Sequence, residues 1–224
     1  MLYADRAHAG QALADALRSY AGRSDVVVLA LPRGGVPVGF RVAEALEAPL
    51  DVFLVRKLGF PGNEEFAMGA IASGGVRVLN EAVLDRYGVP DALVEAVVHR
   101  EERELARRER SYRDDLPAPD LRGKTVIVLD DGLATGFSMR AAVTALRSFG
   151  PRRIVVAVPV GPRESIEELR RLADEVVCPS TPEPFLAVGH FYDTFEQTTD
   201  REVVDLLARA RRGRPAAEPA GSHA

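Results

Sequence analysis

Tryptophan is absent, cysteine occurs once, and aromatic residues make up only 6% of the chain. The lone Cys178 excludes an intrachain disulfide and fits a reducing compartment. Placed at the end of an apolar stretch, it reads as a buried structural thiol. The four histidines (His8, His99, His190 and His223) are scattered without metal-ligand spacing. No apolar run approaches the length of a membrane span, and the N-terminus lacks a signal-peptide core. A cytoplasmic protein without a membrane partner is therefore expected. Basic excess is missing too: 29 Lys and Arg stand against 33 Asp and Glu, a formal net charge of −4. That balance argues against a nucleic-acid or anionic-membrane binder, so an anionic ligand must be held by local cations.

What remains is an ordinary globular composition, 46% hydrophobic and 28% charged over 224 residues, enough for one core. Apolar spacing predicts a helix over 7–20, and the β-branched run "DVVVLAL" (25–31) a strand covered on both faces. A helix over 36–46 and a strand over 50–55 follow. This alternation is the mark of βαβ units and a parallel sheet, an α/β fold. The pattern weakens from 56 to 122, where a glycine-rich loop, short strands near 68–72 and 76–79, and one long helix over 91–113 are expected. That helix carries a thin apolar stripe and charged pairs at i,i+4, as in a solvated helix packed on one side or a partner surface. Order then returns with strands at 124–129, 153–160 and 174–178 and helices at 138–148 and 163–173. Thr199-Asp200-Arg201-Glu202 is a capping box opening a last helix to about 211. The tail 213–224 is expected to be disordered, leaving 1–212 as a single domain.

Three polar clusters each follow directly on a strand: "LPRGG" (31–35), "RKLG" (56–59) and "DDGLATGFS" (130–138). In an open α/β sheet ligands bind beyond the carboxyl ends of the strands, so all three fall on one edge. After Asp131, the small residues Gly132, Ala134, Thr135, Gly136 and Ser138 can expose successive backbone N–H groups at a helix start, a phosphate cradle. Thr135 and Ser138 add hydroxyls. Asp130 and Asp131, acceptors only, suit sugar hydroxyls or a magnesium ion. Together they describe a phosphorylated sugar. Arg33, Arg56 and Lys57 would clamp a second phosphate group, with Gly34 and Gly35 allowing close backbone approach. A Walker A motif is absent, and a dinucleotide fingerprint starting at Gly34 fails at Val36.

"VIVLDDGLATGFS" resembles the phosphoribosyl-pyrophosphate (PRPP) motif of the type I phosphoribosyltransferases, and "LPRGGVPVG" resembles their pyrophosphate loop. The likeness spans about residues 25–178, and the whole chain is similar to a bacterial branch of that family. It implies a three-layer α/β/α fold with a mainly parallel sheet of about five or six strands. A flexible loop and helical insertion (56–122) and a small C-terminal hood (179–198) would be added to it. By the same resemblance Asp130 and Asp131 bind ribose hydroxyls, directly or through magnesium-bound water. Ala134, Thr135, Gly136, Phe137 and Ser138 hold the 5-phosphate. Arg33, Gly34 and Gly35 contact pyrophosphate with Lys57 and Arg56, and the Pro32–Arg33 peptide is cis. Asp131, Arg33 and Lys57 are the catalytic candidates, with Mg2+ as cofactor. PRPP and a small-molecule acceptor of the nucleobase kind are the implied partners, in a chain that could pair as a homodimer. A PRPP- or nucleotide-binding regulator without turnover is the other reading. Members acting on 6-oxopurines carry an acid where this chain has Ala134, which disfavours that substrate class. In the hood, Phe185, Phe191 and Tyr192 either stack on the acceptor or close the core.

Overall fold

Five short strands set the architecture, four of them buried almost throughout and the last half-buried. They are β1 (Val26–Ala30), β2 (Leu50–Val52), β6 (Thr125–Leu129), β7 (Arg153–Ala157) and β8 (Glu175–Val177). All pair in parallel, in the order β2-β1-β6-β7-β8. The computed structural model describes residues 2–60, 63–114 and 116–212, without the side chains of 63–66. The expected tail, 213–224, lies outside the described residues.

Strand alternation splits the core in two. Val26, Val28 and Ala30 of β1 pack with Leu13 of α1 (Arg6–Ala16), Val42 of α2 (Gly35–Leu46), Val98 of α4 (Asp91–Arg113) and Leu207 of α7 (Asp200–Arg212). Val27 and Leu29 face the other way, onto Met139 and Leu146 of α5 (Phe137–Arg147) and Leu169 of α6 (Arg163–Arg170). The result is the expected three-layer α/β/α fold.

Two expectations are revised. The strand foreseen over 50–55 ends at Val52, and the chain leaves the main sheet to enter a second one. There an antiparallel sheet forms from β3 (Val55–Phe60), β4 (Asn63–Ala72) and β5 (Val76–Leu79); the short strands expected near 68–72 and 76–79 are present, and β3 and the first half of β4 stand where loop was expected. Gly69 has a steric reason in it: a Cβ there would lie 2.5 Å from the Val78 carbonyl oxygen. A short helix, α3 (Glu81–Tyr87), also went unforeseen; Asn80 caps it by accepting from the Val83 N–H, and Gly88 ends it at φ +57°. The long helix α4 matches its expected bounds of 91–113.

The strand order places a topological switch at the centre of the sheet. From β1 the chain crosses first to β2 on one side and later to β6 on the other, so the loops after β1 and β6 diverge and leave a crevice between them.

Candidate active site

The loops that flank this crevice are "LPRGG" and "DDGLATGFS", and they touch. A Cβ on Gly34 would lie 2.0 Å from Asp131 Oδ2, and one on Gly35 would lie 3.0 Å from the Asp130 Cα. Gly34 sits at φ −59°, a conformation any residue adopts, so here glycine is required for space. The Pro32–Arg33 peptide is cis, as the resemblance implied.

The two acids are unlike in their partners. Asp130 Oδ1 accepts the Asp131 backbone N–H at 2.8 Å. Asp131 Oδ2 accepts from Arg6 Nε at 2.7 Å. Burial, followed by the charge of Asp131, pushes the Asp130 carboxyl well above the usual range. Burial also raises Asp131, against the pull of Arg6. Arg6 is the cation acting on both acids among the described residues.

The turn that follows is held from beneath. Gly136 takes φ +69° as the residue before α5, and no side chain caps the helix start. Arg140 Nη1 donates to the Thr135 carbonyl at 2.7 Å while pairing with Glu168, and Ser165 Oγ donates to the Ala134 carbonyl at 3.0 Å. Both carbonyls are thus bound by side chains of this chain, while the N–H groups of the first helical turn have no side-chain cap and suit a ligand. A cavity of about 240 Å³ opens over this turn, lined by Asp130, Gly132 to Met139 and Val188. Thr135 and Ser138 are exposed at its rim.

The remaining candidates fall into different settings. Arg33 is one-third exposed and approaches Asp200 at 3.9 Å. Arg56 is engaged by the buried Glu101 of α4, Nε to Oε2 at 2.6 Å, so its charge is neutralised within the protein. Lys57 follows it in β3 and by strand alternation faces the other side. Tyr192 is buried, donates to the Asp131 carbonyl at 2.6 Å, and packs between Tyr3 and Phe195. Its role is to fix the acid turn, since its ring has no free face for a base. Phe185 and Phe191 pack on each other with centroids 5.0 Å apart.

Sequence reasoning missed the contribution of the N-terminal segment. Leu2 and Tyr3 donate to the Phe191 carbonyl, and Asp193 and Thr194 donate back to Tyr3 and Ala4. Arg6 lies 4.0 Å over the Phe195 ring and donates to the Glu196 carbonyl as well as to Asp131. The segment expected as a hood, 179–198, is thus joined to the N-terminal residues by backbone hydrogen bonds. Val188 closes against Gly132, where a Cβ would meet its Cγ1 at 2.5 Å.

A parallel α/β sheet with an acidic, small-residue turn and a glycine-walled loop at its switch point defines the class to which this protein is compared. The model of the phosphoribosyl transferase domain matches residues 2–193, and the chain belongs to that family. A protein of Mycobacterium tuberculosis, provisionally named a phosphoribosyl transferase, is 46% identical over 211 residues, covering 94% of this chain and 47% of its own length. The present chain thus spans about half of that relative. The crystal structure of TT1426 from Thermus thermophilus superposes with a TM-score of 0.83 at 45% identity, covering 93% of this chain and 99% of that one. A bifunctional protein PyrR of Roseiflexus is 29% identical over 152 residues, 62% of this chain and 57% of its own.

Proposed function

We propose that this chain transfers the ribose 5-phosphate of PRPP to a nitrogenous acceptor, a nucleobase, and releases pyrophosphate. The observation that carries this reading is the contact of Gly34 with Asp131, which joins the two phosphate-type loops into one crevice. In the reaction the C1–oxygen bond breaks with its electron pair leaving on pyrophosphate. The acceptor nitrogen lone pair forms the C1–N bond, and its proton departs to a base, for which Asp131 is the nearest candidate. The turn from Ala134 to Ser138 binds the 5-phosphate through N–H groups and the Thr135 and Ser138 hydroxyls. Asp130 and Asp131 hold the ribose hydroxyls and fix C1 in line. Arg33, with the Gly34–Gly35 backbone, receives the charge that grows on the leaving pyrophosphate, supported by Lys57.

Among the described residues no group of three or more His, Cys, Asp or Glu is placed to hold a metal. The acid pair nonetheless fits a hard cation completed by substrate oxygens, because two adjacent buried carboxylates repel each other. Magnesium held there by Asp130 and Asp131 would neutralise charge on the departing pyrophosphate.

Calorimetric titration of PRPP with and without magnesium, on wild type and Asp130→Asn/Asp131→Asn, tests the donor site. Binding that needs magnesium and vanishes in the double variant is expected. No binding by folded wild type would overturn the reading. Pyrophosphate release across a panel of bases then separates an enzyme from a PRPP-binding regulator without turnover.

A further inference from the structure

The pyrophosphate-type loop carries Arg33 at its centre, and the ion pair this arginine makes is with Asp200, not with Asp130 or Asp131. Arg33 Nη1 faces Asp200 Oδ1 at 3.9 Å, and that same oxygen accepts a hydrogen bond from the Tyr112 hydroxyl. These three residues come from three elements: the loop after β1, the last turn of α4, and the first residue of α7.

Tyr112 is a fixed post. Its ring is buried, and burial together with the Asp200 bond pushes its hydroxyl up to about 12. The next residue, Arg113, is locked under the sheet edge. Its Nε donates to Asp51 Oδ1 at 3.2 Å and Oδ2 at 3.0 Å, and its Nη2 donates to the Val52 carbonyl at 2.9 Å. From the other side Arg211 of α7 donates to the Arg113 carbonyl. The end of α4 is thereby tied to both β2 and α7, and Tyr112 presents its O–H at a set place.

Asp200 differs in that its side chain is 65% exposed. An ion pair so open contributes little to folding. Its consequence falls instead on Arg33, a long side chain with many rotamers that must present a fork to an anion. With one Nη turned to Asp200, the guanidinium keeps its other N–H donors for the crevice.

We propose that Asp200, held by Tyr112, is a positioning residue that sets Arg33 for the pyrophosphate group; the proposal rests on the donor-site reading given above. It carries a sign that simple electrostatics does not. An acid close to a polyanion repels it, so on charge alone removing Asp200 would tighten anion binding. If Asp200 orients Arg33, removing it weakens binding.

The test is calorimetric titration of inorganic pyrophosphate, with magnesium present, into wild type, Asp200→Asn, Asp200→Glu, Tyr112→Phe and Arg33→Ala. Ribose 5-phosphate, which engages the turn and the acids without the Arg33 loop, serves as the parallel ligand. Asp200→Asn should weaken pyrophosphate by up to about 5-fold, the upper end of what an exposed ion pair contributes. Tyr112→Phe should weaken it less, in the same direction. Asp200→Glu should recover part of the loss, and ribose 5-phosphate affinity should stay within about twofold throughout. Equal or tighter pyrophosphate binding by Asp200→Asn, with Arg33→Ala impaired, overturns the positioning role and leaves the donor site standing. A wild type that binds neither ligand overturns the donor-site reading, and the positioning role with it.

Discussion

Substituting Gly34 by alanine tests the geometry of the crevice directly. The new Cβ would stand 2.0 Å from Asp131 Oδ2 and 2.7 Å from its Cγ, whereas real contacts of this kind begin near 3.0 Å. Something must therefore give by about 1 Å, and both sides are tied. Asp131 is held by Arg6 at 2.7 Å and, through its carbonyl, by Tyr192 at 2.6 Å. The loop is held by the Gly35 N–H bond to the Leu31 carbonyl and by the close approach of Gly35 to Asp130. Overpacking of this kind costs about 1–3 kcal/mol, or a fall in Tm of roughly 2–4 °C per kcal/mol for a chain of this size. A displacement of about 1 Å at a positioning carboxylate costs up to about 100-fold in rate, and PRPP affinity should fall in the same direction. The assay is PRPP titration with magnesium beside thermal melting, with Gly22→Ala as control. Gly22 lies at φ +69° with nothing within 4 Å of its Cβ, so alanine there brings backbone strain alone. Gly34→Ala should lose both stability and ligand, and Gly22→Ala stability only. A Gly34→Ala protein with wild-type Tm and wild-type PRPP affinity would refute the close approach of the two loops.

Asp130→Asn should raise the Tm of the ligand-free protein at neutral pH while abolishing PRPP binding. The sign follows from the raised carboxyl: a folded value above the unfolded one makes stability fall as pH rises from about 4 upward, and the amide removes that loss. A lower Tm would sink this account. Asp25 behaves oppositely, because Arg23, Thr125 and Arg152 hold its carboxyl far below the usual range. Its contribution is complete above about pH 4 and is lost as the pH falls through the folded value, so Asp25→Asn should flatten the acid limb of a Tm–pH profile. Cys178 is pushed up to about 11 by burial. At pH 8 its thiolate fraction should be about 100-fold below that of an ordinary thiol, and a free-thiol rate with Ellman's reagent would contradict the burial. Leu146→Ala, at a fully buried α5 position, should cost about 2–5 kcal/mol in denaturant unfolding.

Much of the frame was legible because it is local. The β-branched runs of β1, β6 and β7 announce strands covered on both sides, and α4 runs over its expected bounds, 91–113. The acidic turn was legible too, because two adjacent acids and a run of small residues directly after a strand form a local pattern suited to an anion cradle. What stayed hidden depends on partners distant in the chain. Arg6 reaches Asp131 across 125 positions and Glu196 across 190, and nothing near Arg6 marks it as belonging to the site. Of the second sheet the strands near 68–72 and 76–79 were legible, whereas β3 was not, because it is defined by its pairing with β4 and the run 56–59 reads as a polar cluster after a strand. For Tyr192 the sequence left stacking on an acceptor and closing the core both open, and the structure shows the second: its ring is buried and its hydroxyl donates to the Asp131 carbonyl.

The charges of the crevice bear on how a donor would enter it. Asp130 and Asp131 bring two carboxylates, and Arg6 is the cation acting on both. Arg33 is shared with Asp200, Arg56 is taken by the buried Glu101, and Lys57 also has a partner within the chain. A bare polyphosphate thus approaches acids whose compensating charge is already committed, and a bare cation approaches a site with two ligands to offer. Each lacks what the other brings. If the proposed donor is correct, magnesium and PRPP should therefore bind with positive coupling, each raising the apparent affinity of the other by the same factor, as linkage requires. Substituting Arg6 by methionine removes the resident cation and should steepen that dependence, since the acids then rely on the metal alone. Equal PRPP affinity with and without magnesium in both proteins would show that the polyanion finds its charge elsewhere, and the roles given to Asp130 and Asp131 would fail.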